Sequence, residues 1–219
     1  MGELVEISGS DLHLGSWRHH AFIPVPLGEE EPQLSGTTYR TIAAAGRALA
    51  ALDATARRLP NPHLLRTPSL RREAQSTSAL EGTYAPLDEV LKADDDMSAS
   101  IEMTEILNYA GMARLGFDWM NEGRPLTLTL IEDLQGRLMR GTPLEKESGR
   151  LRESQVVIGR RDVAGPRSTP VESGRFVPAP PGDQMRAGVA ALVAWLGTDH
   201  SKLIDPVVVA GMAHYQFET

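Results

Sequence analysis

Residues 67–82 read TPSLRREAQSTSALEG and carry the signals for both ends of one helix. Thr67 followed by Pro68 is a favourable N-cap and first-turn pair, and Gly82 is a favourable residue just beyond a helix C-terminus. The sequence therefore predicts a helix over residues 68–81. Within it, Thr77 and Glu81 stand four residues apart and share one face.

Glu81 falls in the last turn of this predicted helix, where a negative charge is unfavourable. The helix macrodipole disfavours an anion there by about 0.3–1 kcal/mol. The position suggests that the Glu81 carboxylate has a specific partner. A solvated surface carboxylate is the alternative, because most glutamates lie at the protein surface.

Apolar residues recur at helical spacing on both sides of this segment. Upstream, they predict a helix over residues 37–59 that ends at Pro60 and Pro62. Downstream, helices are predicted over residues 87–91, 98–120, 126–138, 183–196 and from residue 204 to the last residue. The prediction is a mainly α protein.

Two short segments have β-favouring composition. Arg150–Gly159 (RLRESQVVIG) and Gly174–Val177 (GRFV) are separated by glycine and prolines, which predicts one β-hairpin with an irregular connection. Residues 1–36 are polar and rich in turn residues, and we expect an extended arm there. The sequence shows no internal repeat and no long linker.

Composition and charge narrow the functional classes. The chain has 219 residues, of which 29 are acidic and 22 basic, for a formal charge of −7. Nucleic acid and anionic membranes are therefore not expected partners. Cysteine is absent, which excludes disulfides and thiol catalysis. No signal peptide or membrane-spanning stretch is recognisable, so we expect a cytoplasmic protein.

Common catalytic and nucleotide-binding motifs are also absent. The sequence contains no P-loop, no dinucleotide-binding glycine pattern, no zinc-protease motif and no nucleophile elbow. His19 and His20 are adjacent and point in different directions, so we predict no metal site.

The last predicted helix has an unusual composition. Asp205 and Pro206 form an N-cap and first-turn pair, and the following VVVAGMAHYQF is apolar on nearly every face. This pattern is typical of a helix buried in the middle of a domain, and it predicts that His214 is a core histidine. We therefore expect that the chain is a truncated piece of a longer protein, with exposed apolar surface that favours self-association.

At Thr77–Gly82, the sequence TSALEG resembles the inhibitory-helix motif [Ser/Thr]-x-x-x-Glu-[Gly/Asn] of Fic proteins, in the subclass that carries this helix N-terminal to the catalytic core. Further similarities follow in the family's order, at Arg72-Glu73-Ala74, Asn108-Tyr109, Gly149-Arg150-Leu151-Arg152 and Phe176-Val177-Pro178. The last six residues, HYQFET, resemble the segment just before the family's catalytic loop, His-Pro-Phe-x-[Asp/Glu]-Gly-Asn-Gly-Arg.

The resemblance implies an autoinhibited transferase that moves AMP from ATP to Ser, Thr or Tyr hydroxyls of proteins. In the family, the loop histidine is the general base, its acidic residue holds Mg²⁺ and its glycine-rich backbone binds phosphates. This sequence lacks that loop, so no catalytic residue is assigned and no cofactor is expected on this fragment. ATP and Mg²⁺ would belong to the longer parent protein.

The resemblance also assigns regions and residues. It implies an arm at 1–36, a Fic N-terminal region at 37–97 with the inhibitory helix at 68–82, and the first part of the Fic core at 98–219, with a flap hairpin at 150–177. The implied inhibitory residues are Thr77, Ser78, Glu81 and Gly82, with Thr77 and Ser78 anchoring the helix. The implied target-docking residues of the flap, which would accept an extended protein segment by strand addition, are Arg150, Arg152, Gln155, Val156, Val157 and Ile158.

Two alternatives stay open. The chain could be a complete, non-catalytic all-α interaction module that regulates a partner through the 68–82 helix. It could also be part of a Fic-type transferase that uses another nucleotide donor, because the residues that select the donor lie mostly in the absent loop.

Overall fold

The computed structural model describes residues 2–28, 30–80, 82–93, 100–161 and 168–219. Within these ranges the protein is mainly α, as predicted. The helices are α1 (Gly36–Ala56), α2 (Arg66–Leu80), α3 (Leu87–Lys92), α4 (Ile101–Asn121), α5 (Leu128–Leu138), α6 (Pro170–Ser173), α7 (Asp183–Leu196) and α8 (Pro206–Glu218). The strands are β1 (Gly2–Asp11), β2 (Gly15–Pro24), β3 (Ile158–Arg160) and β4 (Gly174–Phe176). Short 3-10 turns lie at Pro62–Leu65 and Glu145–Glu147.

Local capping residues explain where most helices begin. The side chains of Ser35, Ser100, Thr127 and Asp205 each accept a backbone N–H of the first turn, of α1, α4, α5 and α8 respectively. Helices α3 and α7 begin without a side-chain cap, after Pro86 and Gly182. Helix α2 follows directly on the 3-10 turn and begins at Arg66. Thr67 therefore lies inside the helix, and the prediction that it is the N-cap is wrong.

Residues 2–24 form a hairpin where an extended arm was expected. Strands β1 and β2 pair antiparallel over their full length, from Gly2 opposite Pro24 to Asp11 opposite Gly15. The Asp11 carboxylate accepts two backbone N–H groups within the turn, which lowers its pKa. Gly15 closes the turn with a φ of +87°. The described chain thus has two hairpins, where one was predicted.

The chain divides into two compact units. One comprises Met1–Leu34 with Leu151–Thr219, and the other comprises Ser35–Arg150. The β strands all lie in the first unit, which we call the hairpin unit, and α1 to α5 form the second, which we call the helical unit. The division at 36/37 and 97/98 that the family resemblance implies stays a prediction.

The core of the helical unit lies where α2, α3 and α4 meet. Ala74, Val90 and Ile106, one from each helix, are fully buried. This core determines which face of α2 packs inward. Because the TSALEG motif begins in α2, the core also sets the position of the motif residues.

In the hairpin unit, α7 anchors the segment that follows β2. The Trp195 indole N–H donates to the Gly28 carbonyl at 2.9 Å. The buried His200 ring stacks on Trp195 with centroids 4.1 Å apart. The hairpin unit is made of one segment before the helical unit in the sequence and one segment after it, and these contacts join the two segments.

The last helix is far more exposed than predicted. Of its residues, Val208 is buried, whereas His214 is exposed and Tyr215 and Phe217 are 48% and 60% exposed. The predictions of a buried helix and of a core histidine are therefore wrong for this chain. The reason is that no described element covers the outer face of α8. Helix α1 is similar, since it has no buried residue.

Across the described residues, no helix combines the length and apolar character that a membrane span requires.

Candidate functional site

Helix α2 presents one buried face and one exposed face. Arg71 and Ala74 are buried, Gln75 and Ser78 are half-buried, and Thr77 is exposed. The spacing of the buried positions is that of a single helix stripe. The motif residues Thr77 and Ser78 thus lie at the edge of the packed face, near the end of the helix.

Three side-chain contacts hold α2 and the segment after it. The Arg71 guanidinium donates to the carbonyls of Val90 and Leu91, both at 3.1 Å. The Gln75 amide donates to the carbonyl of Ala85 at 3.3 Å. Because these carbonyls lie in or just before α3, the contacts fix α2 against α3.

The third contact lies just beyond the motif. The Thr83 hydroxyl donates to the Glu105 carboxylate at 2.9 Å, which ties the segment after α2 to α4. Sequence reasoning missed Arg71, Gln75 and Thr83 as the residues that position this helix. Their partners are 10 to 22 residues away in the sequence. The spacing of residues within one helix cannot predict such contacts.

The C-terminus of α2 adopts a Schellman motif around Gly82. The Gly82 N–H donates to the Ala79 carbonyl at 3.2 Å, and the Thr83 N–H donates to the Ser78 carbonyl at 2.9 Å. Gly82 has a φ of +89°, a left-handed conformation that glycine adopts without strain. The predicted role of Gly82 as the residue that ends the helix is confirmed.

The remaining inhibitory residues are not all placed. Glu81 lies outside the described residues. Among the hydrogen bonds that the described residues make, none involves the side chain of Thr77 or Ser78. Their predicted anchoring of the helix therefore stays a prediction.

The predicted flap is a hairpin with much shorter strands than expected. Only Ile158–Arg160 and Gly174–Phe176 are paired, with Ile158 opposite Phe176 and Arg160 opposite Gly174. Residues 150–157 are irregular, so the prediction of a strand from Arg150 is wrong. The connection between the two strands includes residues 162–167, which lie outside the described residues.

Side-chain bonds explain why residues before β3 leave the strand conformation. The Arg152 guanidinium donates to the Ala179 carbonyl and to the Met185 sulfur. The Gln155 amide donates to the Pro178 carbonyl at 3.0 Å. Both side chains thus link the segment before β3 to the segment after β4. Burial of Arg152 lowers the pKa of its guanidinium.

The other predicted flap residues differ in surroundings. Val156 and Ile158 are 41% and 48% exposed, whereas Val157 between them packs inward. One side of the segment that leads into β3, and all of β3, are therefore open to solvent. Arg150 is exposed and belongs to the helical unit, where it donates to the Lys146 carbonyl at 3.5 Å. The structure therefore assigns Arg152 to Ile158 to the hairpin unit and Arg150 to the helical unit.

The N-terminal hairpin contacts the flap. The Phe22 N–H donates to the Val177 carbonyl at 2.9 Å, and the Phe22 and Phe176 rings lie 5.9 Å apart. Ala21 is fully buried beside Val177. Sequence reasoning missed these residues. The alternation of Val5, Glu6, Ile7 and Ser8, with a turn ending in glycine, was the signal that could have predicted the hairpin.

A small capping site stabilises the segment before β4. The Glu172 carboxylate accepts the N–H and the hydroxyl of Thr169 at 2.9 and 2.8 Å, in a capping box that starts α6. These bonds, and to a smaller extent His19, lower the pKa of Glu172. The described residues contain no group of His, Asp and Glu side chains that could hold a metal ion.

Comparisons of the sequence and of the fold with known proteins both find similarity to Fic family proteins. The sequence model of the Fic/DOC family N-terminal region matches residues 39–118. The fold resembles the crystal structure of a Fic family protein from Desulfovibrio desulfuricans G20, with a TM-score of 0.62, 23% sequence identity and 86% of this chain covered. The match covers 53% of that protein, so this chain spans about half of that protein's length.

Proposed function

We propose that the chain belongs to the Fic family and that it is the N-terminal, regulatory and target-docking part of an autoinhibited Fic-type protein AMP transferase. In this proposal, the longer protein transfers AMP from ATP to a Ser, Thr or Tyr hydroxyl of a protein target. The 219 residues contribute an inhibitory helix, α2, and a flap, β3–β4. They contain no catalytic residue of their own.

The observation that carries the proposal is the end of α2. The motif at Thr77–Gly82 requires a helix that ends at the glycine, and the Schellman bonds end α2 there. The bonds of Arg71, Gln75 and Thr83 to α3 and α4 hold this helix end on the core. A helix that blocks a site must be held in place in this way, because a frayed end would give the blocking residue no fixed position.

Glu81 is the proposed blocking residue. Its carboxylate would pair with an arginine of the family's catalytic loop and occupy the space that the γ-phosphate of ATP needs. A charge-assisted, bidentate contact of this kind would compensate for the unfavourable macrodipole at the helix C-terminus. The proposal thus explains a carboxylate that its own helix does not favour.

The flap would dock the target. Its open face and the short strand β3 offer backbone groups to an extended protein segment, which would add as a further strand. Arg152 and Gln155 would act inside the flap, by stapling its base, rather than by contacting the target.

The residues described in this chain do not suit ATP with Mg²⁺. They lack a cluster of metal-binding side chains, and the sequence lacks the family's phosphate-binding loop. We therefore assign the nucleotide site to the longer protein and derive no chemical step from these residues. A cytoplasmic location stays a prediction.

Labelling with ATP that carries a radioactive α-phosphate tests the proposal. We expect no label on the 219-residue chain or on added proteins. A longer protein, in which these residues are followed by the His-Pro-Phe loop, should transfer label to proteins. Labelling by the 219 residues alone would contradict the proposal. If the longer protein also transfers nothing, a non-catalytic interaction module becomes the better explanation.

A further inference from the structure

The flap is too small to hold its own conformation. Strands β3 and β4 have three residues each, all of β3 is exposed, and among the described strands β3 pairs only with β4. An isolated two-stranded hairpin is marginally stable in water, whereas a third strand or a packed apolar face stabilises it. The position of β3 therefore depends on what β4 packs against.

The N-terminal hairpin supplies the missing support for β4. The bond from the Phe22 N–H to the Val177 carbonyl extends β4 by one residue and joins it to the edge of β2. The Phe22 and Phe176 rings are in contact distance, with centroids 5.9 Å apart and planes tilted by 54°. The backbone and the side chain of Phe22 thus both contact the end of β4, at Val177 and Phe176.

A small apolar core fixes this arrangement from below. Ala21 from β2, Val171 from α6 and Val177 are 0%, 6% and 5% exposed, and Val157 packs against them from the segment before β3. Both arms of the flap therefore share one core with β2. The neighbouring Gly174 permits this close packing, since a Cβ there would lie 3.0 Å from the Cβ of Val157, a tighter contact than usual.

We propose that the β1–β2 hairpin is the element that holds the flap in position to receive an extended segment of a target protein, with Ala21 and Phe22 as positioning residues. The inference rests on the proposed docking function of the flap. It assigns a role to residues 2–24, which lie outside the region that matches the family's N-terminal model. The target segment would pair with the free edge of β3, and the hairpin would act through β4 without touching the target.

Hydrogen exchange of single amides in the 219-residue chain tests whether the β1–β2 hairpin stabilises the flap. The reporter is the Arg161 N–H, which donates to the Ser173 carbonyl at 2.8 Å across the flap. Phe22→Ala removes the ring contact, and we expect exchange at Arg161 to accelerate by about tenfold or more. Phe22→Tyr keeps the ring and should exchange as the wild type does. Leu12→Ala changes a side chain that is 99% exposed at the hairpin tip and should also have no effect.

Capture of peptides on an array of extended Ser-, Thr- and Tyr-centred sequences tests the consequence for docking. We expect Phe22→Ala to lose captured peptides and Phe22→Tyr to retain them, while exchange within α4 shows that the helical unit stays folded. Unchanged exchange at Arg161 in folded Phe22→Ala would overturn the positioning role. If exchange accelerates but the wild type captures no peptide, the hairpin does hold the flap, and the docking function proposed for the flap is what fails.

Discussion

Gly82 shows how a single backbone conformation defines the motif helix. Its φ of +89° lies in the left-handed region, and two Schellman bonds depend on it. Space does not require the glycine, because a Cβ there would contact nothing within 4 Å. The backbone conformation alone explains why the motif needs this residue type.

Gly82→Ala should lower the free energy of unfolding of the helical unit by about 1 kcal/mol, since an L-residue is strained at positive φ. Gly46→Ala in α1, where the helix is exposed and the Cβ also meets open space, should raise it by up to about 1 kcal/mol. Denaturation followed by circular dichroism measures both. Equal effects of the two substitutions would show that the Gly82 conformation does not hold α2.

At the scale of elements, local signals predicted the helices and the β3–β4 hairpin, but they missed the β1–β2 hairpin and overestimated the length of β3. Capping residues, prolines and glycines act on their own neighbours, so the extent of most helices followed from the sequence. The β1–β2 hairpin is local in the sequence, whereas the packing of the two hairpins on each other joins distant segments. Phe22 and Val177, for example, meet although 155 residues separate them. For the same reason the motif residues could be predicted from the sequence, whereas the residues that hold them, such as Arg71 and Thr83, could not.

The capping box of α6 makes a further prediction about an element. Bonding from Thr169 lowers the pKa of Glu172 from its usual 4.5. A carboxyl with a lowered folded-state pKa stabilises the fold above about pH 4.5, and this contribution disappears as the pH falls through the lower folded-state value. Glu172→Gln should therefore flatten the loss of stability below about pH 4.5, as measured by urea denaturation of the hairpin unit. A slope identical to that of the wild type would show that the capping box contributes nothing to this dependence.

At the scale of the whole molecule, long apolar surfaces are open to solvent. In α1 the stripe residues Leu49 and Leu52 are 58% and 67% exposed, and Phe217 in α8 is 60% exposed. At about 0.1 M salt the formal charge of −7 is screened beyond about 10 Å, so it opposes association only weakly. Surfaces of this kind tend to find partners.

We therefore expect the chain to self-associate as its concentration rises, in size-exclusion chromatography with light scattering. Leu49→Glu should weaken association, whereas Ala51→Glu, on the same helix but off the apolar stripe, should affect it less. The chain contains no cysteine that could crosslink copies during the measurement. A monomer at all concentrations, or equal effects of the two variants, would contradict the expectation.

Labelling of the longer protein tests most directly whether α2 blocks a nucleotide site through Glu81, as proposed above. Glu81→Gly should strongly increase transfer of labelled AMP to the protein itself and to targets, because the loop arginine becomes free to bind the γ-phosphate. Glu81→Asp, one methylene shorter, should release activity in part. If Glu81→Gly stays folded, binds ATP and labels no more than the wild type, the inhibitory role of this helix is contradicted.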